Sequence, residues 1–176
     1  MYTISFKKTI GLSILGFVLL FIMIVPVYIW MYGYESLKVF PDIPFAGSIC
    51  LVVGIVFHEV IHFMVAAAYN KDGVKGVKLG FIWKKFTPYC LCKNPLLAWQ
   101  YRLYLIMPFF LLGIIPILLG FLFNAFYLVF LGIAFSVGST ADLSIVYKIR
   151  KLSKYDVLQD STEQCGCQIV DEVFTK

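Results

Sequence analysis

Four long apolar runs constrain the fold of this chain more than any other feature of its sequence. The first, over residues 10–31, carries no charge and is long enough to cross a hydrocarbon core of about 30 Å. Similar runs extend over 45–69, 103–123 and 125–147. Hydrophobic residues make up 61% of the chain and charged residues only 14%, outside the range of soluble globular domains. We therefore predict an all-α membrane protein with four transmembrane helices.

The stretches between and after these runs are short. With 176 residues, the chain is predicted to form one membrane-embedded domain, 1–176, of which 150–176 are a polar cytoplasmic tail. Residues 74–86, between the second and third helices, mix β-branched and aromatic residues with glycines, which predicts a small β-hairpin-like cytoplasmic loop. Three aromatic residues at the start of the third helix are typical of anchors at headgroup depth: Trp99, Tyr101 and Tyr104.

The distribution of lysine and arginine predicts the orientation. Lys7 and Lys8, the Lys-rich loop over 71–102 and the basic start of the tail are assigned to the cytoplasm. The loop over 33–44, which carries Lys38, is assigned to the opposite side. Because cytoplasmic loops carry an excess of Lys and Arg, we expect a multi-pass cell-membrane protein with both termini in the cytoplasm. The net charge of +5 has the same origin and indicates no nucleic-acid partner.

The second apolar run contains the motif His58-Glu59-x-x-His62, with the only two histidines of the chain. Residues four apart lie on one face of a helix, so the two imidazoles can hold one Zn²⁺. Glu59 is the candidate catalytic residue, a base that takes a proton from the attacking water and returns it to the leaving amine. The motif also arises by chance on soluble helices, but burying these three side chains in a membrane without a metal is costly.

Asp142 is the other ionisable residue within the four apolar runs. At about 1.5 Å per residue, His62 and Asp142 lie roughly 10 Å and 8 Å inside the cytoplasmic boundary, so their depths match. Since a catalytic zinc takes three protein ligands, Asp142 is the candidate third ligand beside His58 and His62. The alternative is a helix-end aspartate that pairs with a nearby Lys or Arg. Ser139 and Thr140 are candidate hydrogen-bond donors to the site.

Four of the five cysteines form two Cys-x-Cys pairs on the side assigned to the cytoplasm: Cys90, Cys92, Cys165 and Cys167. Structural disulfides are disfavoured in that reducing compartment. Two such pairs can in principle form a second, thiolate zinc site. Because their spacing is not that of the usual zinc knuckles, ordinary reduced thiols are the alternative interpretation.

Several segments resemble the site-2 protease class of intramembrane zinc metalloproteases: His58-Glu59-x-x-His62, Asp142, Pro88-Tyr89 and Gln100-Tyr101-Arg102. Within that class the chain is similar to small bacterial membrane proteins described as zincin peptidases, whose substrate is unknown. The resemblance covers most of the chain, from residue 45 to residue 170. It implies that two histidines and a downstream aspartate bind zinc and that the motif glutamate is catalytic.

The resemblance assigns these roles to His58, His62, Asp142 and Glu59. Site-2 proteases usually present the aspartate before a glycine, whereas Asp142 precedes Leu143, which leaves the third ligand open. There is also no PDZ-like domain in the sequence, so substrate selection is expected to come from the membrane core and its loops.

We therefore expect an intramembrane zinc endopeptidase that cleaves a membrane-spanning or membrane-associated peptide near the cytoplasmic leaflet. Its expected partners are that peptide and the lipid bilayer, with Zn²⁺ as cofactor, and the oligomeric state is open. Because helical carbonyls are occupied, substrate must be held extended, and an edge strand from 74–86 is a candidate to bind it by β-augmentation. The alternative is a non-catalytic metal-binding accessory or immunity protein. A transporter is less favoured, since the chain has no repeat symmetry.

Overall fold

The computed structural model describes residues 1–37, 45–82, 87–161 and 166–170. Its helices are α1 (Phe6–Tyr32), α2 (Ala46–Tyr69), α3 (Ala98–Pro108), α4 (Ile115–Leu122), α5 (Phe126–Gly138) and α6 (Thr140–Ile149). Its strands are β1 (Tyr2–Thr3), β2 (Val77–Ile82), β3 (Thr87–Cys92), β4 (Leu96–Leu97), β5 (Val157–Asp160) and β6 (Gly166–Ile169). Three parts of the predictions lie outside the described residues: most of the 33–44 loop, positions 83–86 of the expected hairpin, and Cys165.

Among the described residues, three helical stretches are long and apolar enough to cross a membrane: Lys7–Tyr32, Gly47–Tyr69 and Ala98–Leu122. The bent pair α5–α6 makes a fourth if it counts as one span. Apolar side chains that face outward are common on these helices, as at Ile22, Met23 and Val52, which are more than 60% exposed. Such surfaces suit a lipid environment, and the mostly helical membrane fold agrees with the prediction.

The third and fourth predicted helices differ in detail from the structure. The third begins five residues early, at Ala98, and contains a π-helical segment, Phe109–Ile114, directly after Pro108. Proline lacks the N–H that continues an α-helical ladder, which accounts for the local change of pitch. The predicted helix over 125–147 is two helices, because α5 ends where Ser139 bonds back to Phe135.

The chain divides into two compact units. Unit 1 comprises Met1–Phe6, Val56–Met107 and Ala141–Lys176, and unit 2 comprises Lys7–Ile55 and Pro108–Thr140. Unit 2 has a helical core in which aromatic and β-branched side chains of α1 and α5 pack: Val25, Tyr28, Phe126, Val129 and Ile133. The Tyr28 hydroxyl donates to the Asn124 side chain (2.8 Å), so the polar end of a buried tyrosine is satisfied.

The described part of unit 1 contains two antiparallel sheets. Strands β2 and β3 pair with Leu79 opposite Cys90. A hairpin was predicted within 74–86, but only β2 lies in that stretch, and β3 follows it at Thr87–Cys92. A four-stranded sheet with the order β1-β6-β5-β4 was not predicted, and two of its strands lie in the stretch expected to be a tail. Its register places Leu158 between Leu96 and Ile169. The fold class is therefore mostly helical with small sheets.

Candidate metal centre

The predicted metal-binding residues converge in unit 1. Helix α2 places His58 and His62 one turn apart, with their Nε2 atoms 3.1 Å from each other. Asp142, in the first turn of α6, has its Oδ2 atom 3.3 Å from Nε2 of His58 and 3.6 Å from Nε2 of His62. Residues that are 80 positions apart in sequence thus face one point. Among the described residues, this is the group of His, Cys, Asp and Glu side chains with the spacing of a metal site.

The dimensions of this triangle fit zinc. Zinc–nitrogen and zinc–oxygen bonds of about 2.0–2.1 Å at tetrahedral angles put neighbouring ligand atoms about 3.3 Å apart. The three observed separations, 3.1, 3.3 and 3.6 Å, bracket that value. Two imidazoles and one carboxylate are also a ligand set of catalytic zinc sites, which keep a fourth position open. The side chains of His58 and Asp142 remain 14% and 15% exposed, which leaves the group accessible from one side.

The tautomer of His62 follows from its second hydrogen bond. Its Nδ1 atom lies 2.8 Å from the main-chain oxygen of Tyr104. A carbonyl oxygen can only accept, so Nδ1 carries the proton and the neutral ring turns the lone pair of Nε2 toward His58 and Asp142. A lone pair and a carboxylate that face each other repel unless a proton or a metal cation lies between them. The residues therefore fit a divalent metal, and the orientation of His62 is that of a metal-binding imidazole.

Glu59 is half-buried beside His58 on α2. The main-chain N–H of Cys90, in β3, hydrogen-bonds the Glu59 carboxylate. The carbonyl oxygen of the same residue accepts a hydrogen bond from the Tyr104 hydroxyl (3.1 Å). Strand β3 therefore bonds Glu59 through the N–H of Cys90 and α3 through the carbonyl of Cys90. These two bonds hold Glu59 in place relative to His62, whose ring is bonded to α3.

Tyr104 was missed as a site residue by the sequence prediction, which interpreted it and Tyr101 as interfacial anchors. Both are buried in the core of unit 1, at 4% and 2% exposure. The ring of Tyr104 lies 4.7 Å from the ring of His62, measured between centroids. Trp99, the third predicted anchor, is exposed. A signal was present in the sequence, since three aromatic residues spaced by two and three positions cannot all lie on one face of a helix.

Ser139 and Thr140 were predicted to donate hydrogen bonds to the site. In the structure, the Ser139 hydroxyl donates to the carbonyl of Phe135 (3.0 Å) and the Thr140 hydroxyl to that of Val137 (2.5 Å). Because a hydroxyl has one proton, these bonds leave neither group to donate to Asp142. The two residues instead end α5 and begin α6.

The described cysteines are free thiols: Cys50, Cys90, Cys92 and Cys167. Burial raises the pKa of Cys90 to about 12 and that of Cys167 to about 11. Among the described residues, the cysteines do not form a group with the spacing of a metal site. The side chain of Cys92 lies between the amide of Asn70 and the carbonyl of Asn94, each 3.2 Å from its sulfur. For the four cysteines that the structure describes, these facts favour reduced thiols over a second zinc site.

Comparison with known proteins gives one match. The model of a family described as "Putative zincin peptidase" matches residues 51–157, more than half of the chain. The matched stretch contains the whole motif from His58 to His62 as well as Asp142 and Tyr104. No curated protein and no solved structure matches the chain.

Proposed function

The chain belongs to the zincin peptidase family, and from that premise we propose that it is an intramembrane zinc endopeptidase that cleaves a membrane-spanning or membrane-associated peptide near the cytoplasmic leaflet. Family membership supplies the zinc-dependent peptidase chemistry. The observation that carries the finer proposal is the triangle of His58, His62 and Asp142, because its residues come from helices apolar enough to cross a membrane.

Each polar residue of the site then has a distinct task. Zinc, when bound, lowers the pKa of water and polarises the carbonyl of the peptide bond to be cleaved. His58, His62 and Asp142 hold the ion, and the Tyr104 carbonyl keeps His62 in the ligating tautomer. Glu59 takes the proton of the attacking water and later delivers it to the leaving amine. The Cys90 N–H restrains the carboxylate of Glu59 so that its free oxygen is oriented for this transfer.

The orientation in the membrane is part of the proposal. With Lys7 and Lys8 in the cytoplasm, four crossings return the basic residues after α6 to the same side. Asp142 and His62 then lie at similar depth near the cytoplasmic leaflet. We propose that both termini and the β2–β3 strand pair lie on that side, and that the bilayer and a membrane peptide are the partners.

Strand β2 is the candidate to hold an extended substrate. In an antiparallel pair, the main-chain N–H and carbonyl of one residue bond the partner strand, and those of the next residue point away from it. Lys93 bonds Gly76 across the pair, and the Cys90 main chain bonds Tyr104 and Glu59 instead of Leu79. The N–H and carbonyl of Leu79 therefore point outward from β2, on an edge with which no strand pairs among the described residues.

The corresponding edge of β3 is already occupied. Its Cys90 groups bond Tyr104 and Glu59, and its Cys92 groups bond Asp160 and Gln159. A substrate strand can therefore add at β2 and not at β3. A strand added there lies two strand spacings, about 10 Å, from β3 and Glu59, so it would anchor a flanking part of the peptide while the bond to be cleaved reaches the metal centre. This mode of binding supplies main-chain hydrogen bonds without requiring a fixed substrate sequence.

The test compares the purified wild-type protein with Glu59→Gln, His62→Ala and Asp142→Ala. Zinc per chain is measured by mass spectrometry, and cleavage by a pool of fluorogenic membrane-spanning peptides in nanodiscs. We expect zinc in the wild type and in Glu59→Gln, its loss from the other two variants, and cleavage by the wild type alone, with Glu59→Gln slower by about 100-fold or more. Glu35→Gln, the same chemical change at an exposed carboxylate of unit 2, is the matched control.

Two outcomes would contradict the proposal. Cleavage by Glu59→Gln at the wild-type rate would exclude Glu59 as the base. If the wild type binds zinc but cleaves no peptide, and Glu59→Gln binds zinc equally, the alternative of a non-catalytic metal-binding protein is favoured.

The substrate edge has its own test. Proline is tolerated at an edge position whose N–H points away from the partner strand, but it removes that N–H. Leu79→Pro therefore removes a hydrogen bond to the added substrate strand, and it should lower cleavage and leave the zinc content unchanged. Leu79→Ala, which keeps the N–H, is the control. Equal rates for the two variants would exclude strand addition at β2.

A further inference from the structure

Asp160, the last residue of β5, is a half-buried carboxylate that the mechanism above does not use. Its Oδ1 atom accepts a hydrogen bond from the Tyr101 hydroxyl at 2.5 Å, and its Oδ2 atom accepts one from the Cys92 N–H at 2.8 Å. Both oxygens are bonded to uncharged donors, and no ion pair of Asp160 with a Lys or Arg is found among the described residues. A half-buried carboxylate without a cation is costly, and an apolar side chain would fill the same space at lower cost.

The two donors to Asp160 belong to the elements that hold the metal centre. Tyr101 lies one turn before Tyr104 on α3, and the carbonyl of Tyr104 sets the tautomer of His62. Cys92 lies two residues after Cys90 on β3, and the N–H of Cys90 restrains Glu59. The carboxylate of Asp160 therefore bonds both β3 and α3. Because Asp160 belongs to β5, it connects these two elements to the four-stranded sheet β1-β6-β5-β4, hereafter the C-terminal sheet.

A second bond between β5 and β3 acts at the same place. The side-chain amide of Gln159 donates to the carbonyls of Cys92 (2.9 Å) and Lys93 (3.1 Å). With Asp160 on the N–H of Cys92, both main-chain groups of that residue are bound by β5. The end of β3 cannot shift along or away from β5 without breaking these bonds.

We propose that Asp160 is a positioning residue that holds β3 and α3 at the separation required for Glu59 and His62 to act on one metal ion. The inference rests on the proposed function, because it concerns the geometry of that same site. It also gives the C-terminal sheet a role in the site: a stretch that the sequence presents as a polar tail ties the candidate base to one of the candidate ligands.

The experiment uses the full-length protein in mild detergent with Zn²⁺ and Co²⁺ as probes. Competition with a chromophoric chelator measures zinc affinity, and the visible spectrum of bound Co²⁺ reports the ligand geometry without any substrate. We expect Asp160→Asn to weaken zinc binding roughly ten-fold, at the low end of what residues behind metal ligands contribute, and to alter the Co²⁺ spectrum. Asp156→Asn is the matched control, because that carboxylate of the same segment bonds the N–H of Ser153.

Tyr101→Phe is the second variant, since it removes only the hydroxyl that Asp160 binds. It should shift zinc affinity and the Co²⁺ spectrum in the same direction, and it decides the question if Asp160→Asn does not fold. A purely structural role would lower the unfolding temperature and leave the spectrum of the folded protein unchanged. Wild-type affinity and spectrum in folded variants would overturn the inference and leave the proposed function intact. Failure of the wild type to bind either metal would overturn the proposed function itself.

Discussion

The Nδ1 atom of His62 donates a hydrogen bond to the main-chain oxygen of Tyr104 over 2.8 Å. This relationship directs the Nε2 lone pair of His62 toward Nε2 of His58 and the carboxylate of Asp142. Because the acceptor is a main-chain atom, it survives any substitution at position 104 that preserves α3. The Tyr104 side chain has a separate task, since its hydroxyl bonds the carbonyl of Cys90. The two tasks can therefore be separated by mutation.

Tyr104→Phe should separate metal binding from catalysis. The variant keeps the carbonyl on His62, so its zinc content should match that of the wild type. Loss of the hydroxyl leaves the Cys90 carbonyl without its partner, which should cost about 1–3 kcal/mol of unfolding free energy. It should also lower kcat, because the Cys90 N–H no longer holds Glu59 firmly. Zinc analysis and peptide cleavage test this, and a loss of zinc in Tyr104→Phe would contradict it.

Arg102 should stabilise the helix that carries Asp142. Its guanidinium donates to the carbonyls of Ile149 (2.9 Å) and Leu152 (2.7 Å), at the C-terminal end of α6. Helix ends leave such carbonyls without partners, and bonds from a charged donor contribute about 1.5–3 kcal/mol. Arg102→Met should therefore destabilise the protein by about 2 kcal/mol and reduce its zinc occupancy. Both bonds come from one nitrogen of the guanidinium, so Arg102→Lys, which keeps a charged but more strongly hydrated donor, should fall between.

Arg150→Met is the control for this prediction. Arg150 is exposed, bonds the carbonyl of Tyr147 and lies over its ring at 3.5 Å, at the same end of α6. An exposed substitution of this kind should change stability by no more than about 0.5 kcal/mol. Equal losses in Arg102→Met and Arg150→Met, measured by thermal unfolding in detergent, would show that the buried bonds have no special importance.

The grouping of His58, His62 and Asp142 was predictable because each of these residues carries a signal in the sequence. A four-residue spacing places two histidines on one helix face whatever surrounds them, and a charge within an apolar run is conspicuous. The depth argument then related Asp142 to His62 without knowledge of the helix packing. The structure brings these residues together, and the matching family is one of zincin peptidases.

The four-stranded sheet was not predictable in the same way. Strands β1 and β4 have two residues each, too few for a period of two to be recognised. The partner of β1 lies about 160 residues away, in β6. Asp160 and its partner Tyr101 were missed for the same reason, since the sequence of a polar tail does not distinguish a half-buried carboxylate from a solvated one. Similarly, a break such as that at Ser139 depends on local hydrogen bonds rather than on apolar periodicity.

Unit 2 contains a close contact that permits a sharp packing test. A Cβ atom at Gly54 would overlap the ring of Phe135, whereas a Cβ at Gly16 would meet nothing within 4 Å. Gly54→Ala should therefore cost about 1–3 kcal/mol through overpacking. Gly16→Ala should be neutral or slightly stabilising, since alanine is the better helix former. Adding Phe135→Leu to Gly54→Ala should restore part of the loss, and the absence of any rescue would contradict the assigned contact.

Removal of the metal should destabilise unit 1. A ligand that binds only the folded state stabilises it by about 4 kcal/mol when its free concentration is about 1,000 times the Kd. Chelation should therefore lower the unfolding temperature of the wild type, and added Zn²⁺ should restore it. Asp142→Ala, with two of three ligand atoms left, should show a much smaller shift, and Asp156→Asn should behave as the wild type. A zinc-dependent shift of equal size in Asp142→Ala would exclude Asp142 as a ligand.

Asp160 should make stability depend on pH. Burial raises its pKa to about 6, above the ordinary value of 3.8, against the opposing effects of its bonds to Tyr101 and Cys92. The folded state therefore binds the proton more tightly, so this carboxyl favours folding increasingly as the pH falls through 6. The gain between pH 7 and pH 5 should be about 1 kcal/mol.

The measurement is the difference in unfolding temperature between metal-free wild type and metal-free Asp160→Asn at each pH. The other charged and titratable groups near Asp160 are common to both proteins and cancel in this difference: His62, Asp142, Tyr101, Tyr104, Cys90, Cys92 and Cys167. The wild type should gain stability relative to Asp160→Asn as the pH falls from 7 to 5. A parallel pH dependence of the two proteins over this range would show that the pKa of the Asp160 carboxyl is not raised, because its bonds to Tyr101 and Cys92 offset or outweigh burial.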